Sequence, residues 1–243
     1  MLGKVDPATL KKYVFSRLGA RDKDVIVGPG YGEDSAAIDM GDNFLVISAD
    51  PLIFAESRIG QLSVNVACND VAACGAKPKW LLSVITLPQG KSDALNGITE
   101  QIDKEAKKLR VRVIGGHTEI VPEISRPLLS MTCIGVTDRY VHTSGARSGD
   151  DVILTKGAGI EATGILATDF RDELIKKGLS NSEIRRAEAK LGELSVVESC
   201  LTISHLVNSM HDPTECAGAG RCTGDQCSFR QGYRALGREN SDR

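Results

Sequence analysis

Residues 64–78, VNVACNDVAACGAKP, decide most of what this chain is expected to be. Residues 64–74 belong to a segment, 57–74, with helical periodicity and many small residues, and Gly75 followed by Pro78 ends that helix in the usual order. Asn and Asp are poor residues for a helix interior, yet three lie within six positions: Asn65, Asn69 and Asp70. The pattern predicts a closely packed helix that turns polar groups toward a ligand. Simple exposure of these groups to water is the alternative.

Helical and strand patterns alternate along the rest of the chain. Helices are predicted at 7–18, 92–109 and 160–169. Strands are predicted at 35–39, 44–49, 80–87, 111–114, 128–136 and 151–155. The turn-rich stretch TSGARSGD, residues 143–150, predicts a domain boundary. The expected domains are therefore 1–145, the start of a second domain at 146–215, and a divergent tail at 216–243.

Composition excludes several classes of protein. The 243 residues allow one or two domains at roughly 150 residues each. Hydrophobic residues make up 41% and the formal net charge is −2, so an ordinary globular protein is expected, with no general attraction to nucleic acid or anionic lipid. The longest apolar runs fall well short of the roughly 20 residues that cross a bilayer. A cytoplasmic protein that is not membrane-bound is predicted.

Cysteine usage agrees with a reducing compartment. The seven cysteines are an odd number, and four of them, Cys68, Cys74, Cys133 and Cys200, stand among small apolar residues where a reduced thiol packs well. The other three lie near the end of the chain, without a following His at zinc-site spacing: Cys216, Cys222 and Cys227. A metal site there is disfavoured.

A glycine loop followed by carboxylates is the first candidate for binding chemistry. The sequence GYGEDSA, residues 30–36, joins Gly30 and Gly32 to Glu33 and Asp34 just before a predicted strand. Glycines let backbone N–H groups approach a phosphate, and carboxylates hold the magnesium that accompanies polyphosphates. The loop therefore points to a nucleotide, while an acidic hairpin turn remains the alternative.

Further polar groups recur at later strand ends. Asp50 is expected where a strand finishes, a place where side chains often face a ligand. GGHTE, residues 115–119, again puts glycines before ligand-capable groups, although a single His such as His117 is more often structural. In the segment 210–215, Asp212 and Glu215 are either site residues or parts of an Asp-Pro turn.

The order of these motifs resembles the aminoimidazole ribonucleotide synthetase (PurM-like) superfamily. The motifs are GYGEDSA, SADP, VNVACNDVAACGAKP, GGHTE, GDDVILTKGAGIEATGILATDF and HDPTE. The superfamily includes thiamine-phosphate kinase, selenophosphate synthetase and the hydrogenase-maturation protein HypE, and the HypE-like, AIR synthase-related branch is the nearest match. The resemblance covers residues 25–215.

The resemblance implies an α+β fold with two domains. An N-terminal sheet domain would pair with a second subunit to form a homodimer, and an α/β C-terminal domain would begin at 146 and stay incomplete. ATP and Mg²⁺ would be the cofactors, and the enzyme would phosphorylate an oxygen of a small amide, carbonyl or phosphorylated substrate. The alternative is a catalytically silent module for nucleotide binding or dimerisation.

The resemblance also implies roles for individual residues. The implied catalytic residues are Asp70 and Asp212. The implied metal ligands are Asp34, Asp50, Asp70 and Glu119. The implied nucleotide-binding residues are Gly30, Gly32, Asp34, Ser35, Asp50, Asn69, Gly115, Gly116, His117 and Thr118.

The chain also departs from the family pattern. His117 stands where thiamine-phosphate kinases carry Asp, so a ligand is lost there or Glu119 replaces it. The chain ends without the terminal Cys that HypE uses, which argues against that reaction. The family continues after HDPTE with a Gly-Gly pair opening a helix, whereas here Cys216 follows. A truncation or frameshift after Glu215 is therefore expected, with a natural tail that has a Cys-based role as the alternative.

Overall fold

A computed structural model describes residues 5–212 of the chain. The strands are β1 Val25–Val27, β2 Ala36–Asp39, β3 Phe44–Leu52, β4 Lys77–Pro88, β5 Arg112–Val121 and β6 Leu128–Thr137. The helices are α1 Pro7–Tyr13, α2 Ile59–Ala73, α3 Ala94–Leu109, α4 Ile160–Asp169, α5 Arg171–Lys176, α6 Asn181–Ala189 and α7 Val197–Ile203. Two short 3-10 turns lie at Thr143–Gly145 and Lys190–Glu193.

The six strands form one mixed sheet in the order β1-β2-β3-β6-β4-β5. Only β4 and β5 run parallel, and α3 makes the crossover between them. The other neighbouring strands pair antiparallel. An α+β fold, as the sequence analysis expected, is thereby confirmed.

Helix α2 is the centre of the core. It lies on one face of the sheet against β3, β4 and β6, and α3 and α7 pack on it from the other side. Thirteen of its 15 residues are buried. The predicted close-packed helix is confirmed, and exposure of Asn65, Asn69 and Asp70 to water is excluded because they are 1%, 7% and 6% exposed.

Small residues bring the neighbouring backbones onto α2. A Cβ built on Gly135 of β6 would lie 2.4 Å from Val71 Cγ1 and 2.8 Å from the Lys77 carbonyl oxygen. On the other side of α2, a Cβ on Gly60 would lie 2.5 Å from the Ile98 carbonyl oxygen. Glycine at positions 60 and 135 is therefore a requirement of the close packing around α2.

Several predicted boundaries differ from the structure. The first helix ends at Tyr13 rather than at Leu18, and Leu18 is exposed, so no core contact extends the helix. β3 runs on to Leu52, which puts Asp50 inside the strand instead of at its end. β5 likewise continues through the whole of 115–119 because β4 offers it a paired partner along that length.

The predicted strand at 151–155 is wrong. The segment has no regular secondary structure and pairs with no strand among the described residues, and Val152, Ile153 and Leu154 are 65–82% exposed. Branched side chains favour strands only where a neighbouring strand completes the hydrogen bonds, and within 5–212 none does.

Helix α7 packs on α2, whereas α4, α5 and α6 pack on one another. The predicted helix at 160–169 is confirmed as α4. The domain boundary at 145/146 stays a prediction, and Glu215, the tail 216–243 and its three cysteines lie outside the described residues. No helix within the described part of the chain is both long enough and apolar enough to cross a membrane.

We expect Gly135→Ala to lower the free energy of unfolding by about 1–3 kcal/mol, because the added methyl group overpacks the contact with Val71 and the β4 backbone. Urea denaturation followed by circular dichroism measures this. The control is Gly97→Ala in α3, where an added Cβ meets nothing within 4 Å. That change should stabilise the helix by about 0.5–1 kcal/mol. Equal or greater stability of Gly135→Ala would contradict the packing argument.

Candidate functional site

The candidate site forms where the last turns of α2 face strand β3. Ser48 and Asp50 lie two residues apart on β3, so both side chains leave the sheet on the face that α2 covers. The Ser48 hydroxyl donates a hydrogen bond to Asp70 Oδ2 at 2.8 Å, and it lies 3.5 Å from Asp50 Oδ2. Helix and strand thereby bring two carboxylates to one buried hydroxyl.

Burial and like charge dominate the electrostatics of this pair. Removal from water raises the pKa of Asp70 far above its usual range, and the neighbouring Asp50 raises it further. The hydrogen bond from Ser48 acts in the opposite direction without reversing the shift. Asp70 therefore holds its proton near neutral pH unless a cation joins the pair.

Asp34 attaches the end of the described chain to this region. His211 Nδ1 lies 2.8 Å from Asp34 Oδ1 and 3.0 Å from Oδ2, and the Asp212 amide donates to Oδ2 at 3.3 Å. The carboxylate of Asp34 comes from the glycine loop before β2, some 177 residues earlier in the sequence. The carboxylate of Asp34 and the backbone of Asp212 are therefore in contact in the structure.

Asp212 brings a further carboxylate to the site. Burial raises the pKa of Asp212 to about 6, and the charges of Asp34 and Asp50 add to the shift. His211 and a hydrogen bond from Asn69 lower it. The pKa of Asp70 is also raised by Asp212, so Asp34, Asp50, Asp70 and Asp212 form one electrostatically connected group, which we name the acidic cluster.

Asn69 fixes the chain that leads to Asp212. Its Nδ2 donates to the Leu194 carbonyl oxygen at 3.0 Å, and its Oδ1 accepts from the Val196 amide at 2.9 Å. Both contacts join the Asn69 side chain to backbone atoms that lie more than 120 residues later in the sequence. Within this structure Asn69 acts as an anchor of the segment before α7, and a contact to phosphate stays a prediction.

Glu161 is a site residue that the sequence analysis missed. It lies in the first turn of α4, and burial raises its pKa, with further contributions from the charges of Asp212 and Asp50. The signal in the sequence was a Glu in the first turn of a predicted helix, two positions after the glycine that ends the KGAG turn. Such a Glu is also favoured by the helix dipole alone, so the sequence offered no reason to assign it to the cluster.

The glycine loop lies beside Asp34 but is held by protein contacts. Gly32 has a φ of 84°, a left-handed conformation that suits glycine. The Thr143 hydroxyl donates to Glu33 Oε2 at 2.8 Å, and Ser35 is buried at the start of β2. Gly30, Gly32 and Ser35 are thus placed next to the acidic cluster, while their contact with a nucleotide stays a prediction.

The GGHTE segment does not join the acidic cluster within one chain. β5 is separated from β3 by β6 and β4, which is about 14 Å across the sheet. In the register of β4 and β5, His117 pairs with Val84 and Glu119 with Thr86, on the sheet face opposite to the helices. His117 Nε2 lies 3.5 Å from Glu119 Oε2, and both side chains are more than half exposed.

The remaining predicted residues of β5 have a structural role or face the solvent. A Cβ on Gly116 would lie 1.9 Å from the Ser83 carbonyl oxygen, so the approach of β5 to β4 requires glycine there. Gly115 pairs with Leu82, and Thr118 pairs with Ile85. All three belong to the edge strand, away from Asp50 and Asp70.

The donor set of the acidic cluster suits a hard divalent cation. Carboxylate oxygens are the ligands that Mg²⁺ prefers, and it usually takes one or two of them together with phosphate and water oxygens. Within residues 5–212, no three His, Cys, Asp or Glu side chains converge closely enough to hold a metal ion alone. The cluster therefore fits a metal ion that arrives with phosphate oxygens, and it does not fit a metal cage made only of protein.

Two curated relatives share most of the described chain. A putative hydrogenase expression/formation protein of Methanocaldococcus jannaschii is 28% identical over 221 residues, covering 87% of this chain and 63% of that protein. A phosphoribosylformylglycinamidine cyclo-ligase of Saccharolobus solfataricus is 31% identical over 199 residues, covering 76% of this chain and 59% of that protein. The chain thus spans about 60% of the length of these relatives.

Solved structures share the fold. The structure of AaThiL complexed with AMPPCP and TMP superimposes with a TM-score of 0.65 at 20% identity, covering 83% of this chain and 62% of that one. Residues 32–137 match the family model of the AIR synthase related protein, N-terminal domain. That match contains β2 to β6 together with Asp34, Asp50 and Asp70. Over residues 32–137 the chain is therefore similar to the AIR synthase-related N-terminal domain, and its fold is that of the AaThiL structure.

Proposed function

We propose that this protein binds ATP with Mg²⁺ at the acidic cluster and transfers a phosphoryl group to an oxygen of a small amide, carbonyl or phosphorylated substrate. The observation that carries the proposal is the burial of Asp70 beside Asp50, in a place where the charge of Asp212 also acts on it. A buried pair of carboxyl groups with a strongly raised pKa is typical of functional sites, where a ligand can compensate the charge. The ATP analogue AMPPCP in the structure of AaThiL supports ATP as that ligand.

Each residue has a distinct part in this proposal. Asp50 and Asp70 would hold the cation, and when bound, Mg²⁺ with ATP supplies an activated phosphoryl group whose charge the metal neutralises. Asp212, with a pKa of about 6, is suited to take the proton that an amide nitrogen loses when the amide oxygen attacks the phosphoryl group. Asp34 and Asn69 place Asp212 by holding the chain on either side of α7.

The cysteines bear on the compartment in which the protein works. Cys68, Cys74, Cys133 and Cys200 are free thiols, and all four are buried. We place the protein in the cytoplasm, where thiols stay reduced. The chain spans about 60% of the length of the relatives it matches. The proposal therefore extends to a type of enzyme and a class of substrate.

We expect Asp70→Asn to weaken Mg²⁺-dependent binding of AMPPCP at least about tenfold, because a neutral amide cannot replace a carboxylate ligand. Isothermal titration calorimetry with and without Mg²⁺ measures this. The variant should remain folded, since it removes a buried ionisable group whose hydrogen bond from Ser48 the amide oxygen can still accept. Asp103→Asn, on the exposed face of α3, is the matched control. Unchanged affinity in Asp70→Asn would refute the site.

The raised pKa of Asp212 predicts a pH dependence of stability without Mg²⁺. The folded pKa of about 6 lies above the ordinary pKa of 3.8 for an aspartate, so the folded state binds the proton more tightly than the unfolded state does. This contribution is full below pH 4 and disappears as the pH rises through 6. Relative to Asp212→Asn, the wild type should lose up to about 3 kcal/mol between pH 4 and pH 7.

Urea unfolding at a series of pH values, compared between wild type and Asp212→Asn, checks this. Parallel curves for the two proteins would mean that Asp212 titrates normally and lies outside the cluster. Adding Mg²⁺ with AMPPCP at pH 7 should restore stability to the wild type, because binding to the folded state alone raises its free energy of unfolding.

We further propose that the bare face of the sheet pairs with a second copy of the chain. Trp80, Leu82 and Val84 of β4 alternate with buried residues and remain 36–38% exposed. Branched and aromatic side chains in such a row are typical of an interface. His117 and Glu119 lie beside this row on β5, so dimerisation would bring the GGHTE segment of one subunit to its partner.

We expect the wild type to be a dimer in sedimentation velocity and Leu82→Glu to be a monomer, because a buried carboxylate at a paired sheet face is strongly unfavourable. Circular dichroism should show both proteins folded. Ile153→Glu is the control, since Ile153 is 82% exposed and lies outside the sheet. A monomeric wild type, or a dimer that survives Leu82→Glu, would argue against the interface.

A catalytically silent nucleotide-binding module is the second candidate. The observation in its favour is that His117 and Glu119 face away from the acidic cluster within one chain. Detection of ADP formation from ATP in the presence of candidate small amides, carbonyl compounds or phosphate esters distinguishes the two. Tight binding of AMPPCP without any turnover would favour the silent module.

A further inference from the structure

A cleft lies at the opposite end of α2 from the acidic cluster. It has a volume of about 420 Å³ and separates α2 and α3 from α6 and the Lys190–Glu193 turn. Arg58, which lines it, immediately precedes α2, whereas Asp70 lies 12 residues further on, about 18 Å along the helix axis. No residue of the acidic cluster lines this cleft. It is therefore a separate place in the molecule.

Cations from three different elements line the cleft. They are Arg58 before α2, Lys104 of α3 and Arg185 of α6. Two acidic residues, Glu105 and Glu188, also line it. The balance between these charges decides what the cleft can bind.

The two carboxylates are already engaged. Glu188 lies 3.4 Å from Arg58 Nη2 and 4.0 Å from Arg171 Nη1, so one carboxylate is shared by two guanidinium groups. Glu105 is 5% exposed, accepts a hydrogen bond from Asn65 at 3.1 Å and lies 3.5 Å from Lys108 Nζ. Both carboxylates are therefore already paired with cations or hydrogen-bond donors other than Lys104 and Arg185.

Lys104 and Arg185 are left without an acidic partner. Across the described part of the chain, no carboxylate lies within 4.0 Å of either side chain in an ion pair. Both face the cleft from opposite walls, one on α3 and one on α6. The cleft therefore has an excess of positive charge that the protein does not neutralise locally.

The other walls are polar but committed to the fold. Gln101 Oε1 accepts hydrogen bonds from the amides of Gly60 at 3.0 Å and Gln61 at 3.3 Å, and Gln61 Nε2 donates to the Leu191 carbonyl oxygen. Gln101 thereby caps the start of α2, and the amides of Gly60 and Gln61 are already hydrogen-bonded. Available positive charge comes from the side chains alone.

We propose that this cleft binds a small phosphorylated molecule, which Arg185 and Lys104 hold from opposite sides with Arg58 as a third contact. Guanidinium groups bind phosphate oxygens in a bidentate manner, and lysine adds a flexible point charge. The volume is within the range of small-molecule sites. Because the ligand contacts α3 and α6 together, it fixes the helices of the C-terminal part against α2 and α3.

Inorganic pyrophosphate is the probe, measured by isothermal titration calorimetry in EDTA so that no metal-dependent binding at the acidic cluster contributes. The double variant Lys104→Gln/Arg185→Gln should bind at least about tenfold more weakly, since it loses two charge-assisted contacts. The matched control is Lys107→Gln/Arg186→Gln, which removes the same charges from the same helices outside the cleft. It should leave the affinity within about twofold of the wild type.

A second variant should strengthen pyrophosphate binding instead of weakening it. Glu188→Gln removes the carboxylate that Arg58 and Arg171 share, so it should tighten pyrophosphate binding. Asp70→Asn should have no effect, so failure of the ATP site and failure of this site give different results. Equal losses in the two double variants, unaltered affinity in Lys104→Gln/Arg185→Gln, or no saturable binding to the wild type would each overturn the proposal. Circular dichroism confirms that every variant is folded.

Discussion

The burial of Asp70 at the end of a fully enclosed helix is the constraint on which the rest of the structure depends. Thirteen of the 15 residues of α2 are buried, so its polar side chains depend on partners within the protein. Asn69 and Asp70 meet this demand in two ways: one anchors a distant backbone segment, and the other meets a serine and a second carboxylate. Packing and site chemistry therefore share a single helix turn.

The sheet separates two kinds of surface. Its inner face, under α2, carries Ser48 and Asp50. Its outer face carries exposed apolar side chains of β4 together with His117 and Glu119 of β5. Because side chains alternate along each strand, residues of the two faces cannot meet within one chain, however close they are in sequence motifs. A site that used both faces would need two chains.

Local patterns in the sequence predicted the helices α2, α3 and α4 and the strands β2 to β6 to within a few residues at most ends, because each has clear periodicity or glycine and proline boundaries. The acidic residues Asp34, Asp50, Asp70 and Asp212 were identified from motif order. What remained out of reach depends on tertiary neighbours. The length of β5 is set by pairing with β4, the segment 151–155 lacks a partner strand among the described residues, and Glu161 joins the cluster only through the placement of α4.

The contacts that Asp34 makes in the described structure would compete with binding of a metal ion to its carboxylate. Both of its carboxylate oxygens contact His211 Nδ1, and one also accepts the amide of Asp212, so the carboxylate holds the end of the described chain in place. A cation bound to Asp34 would have to share these oxygens with the imidazole. Metal binding and the position of Asp212 are then coupled through one side chain. The same contact that brings Asp212 to the cluster also limits how many ligands Asp34 can offer a metal, which explains why the fit needs oxygens from a phosphate.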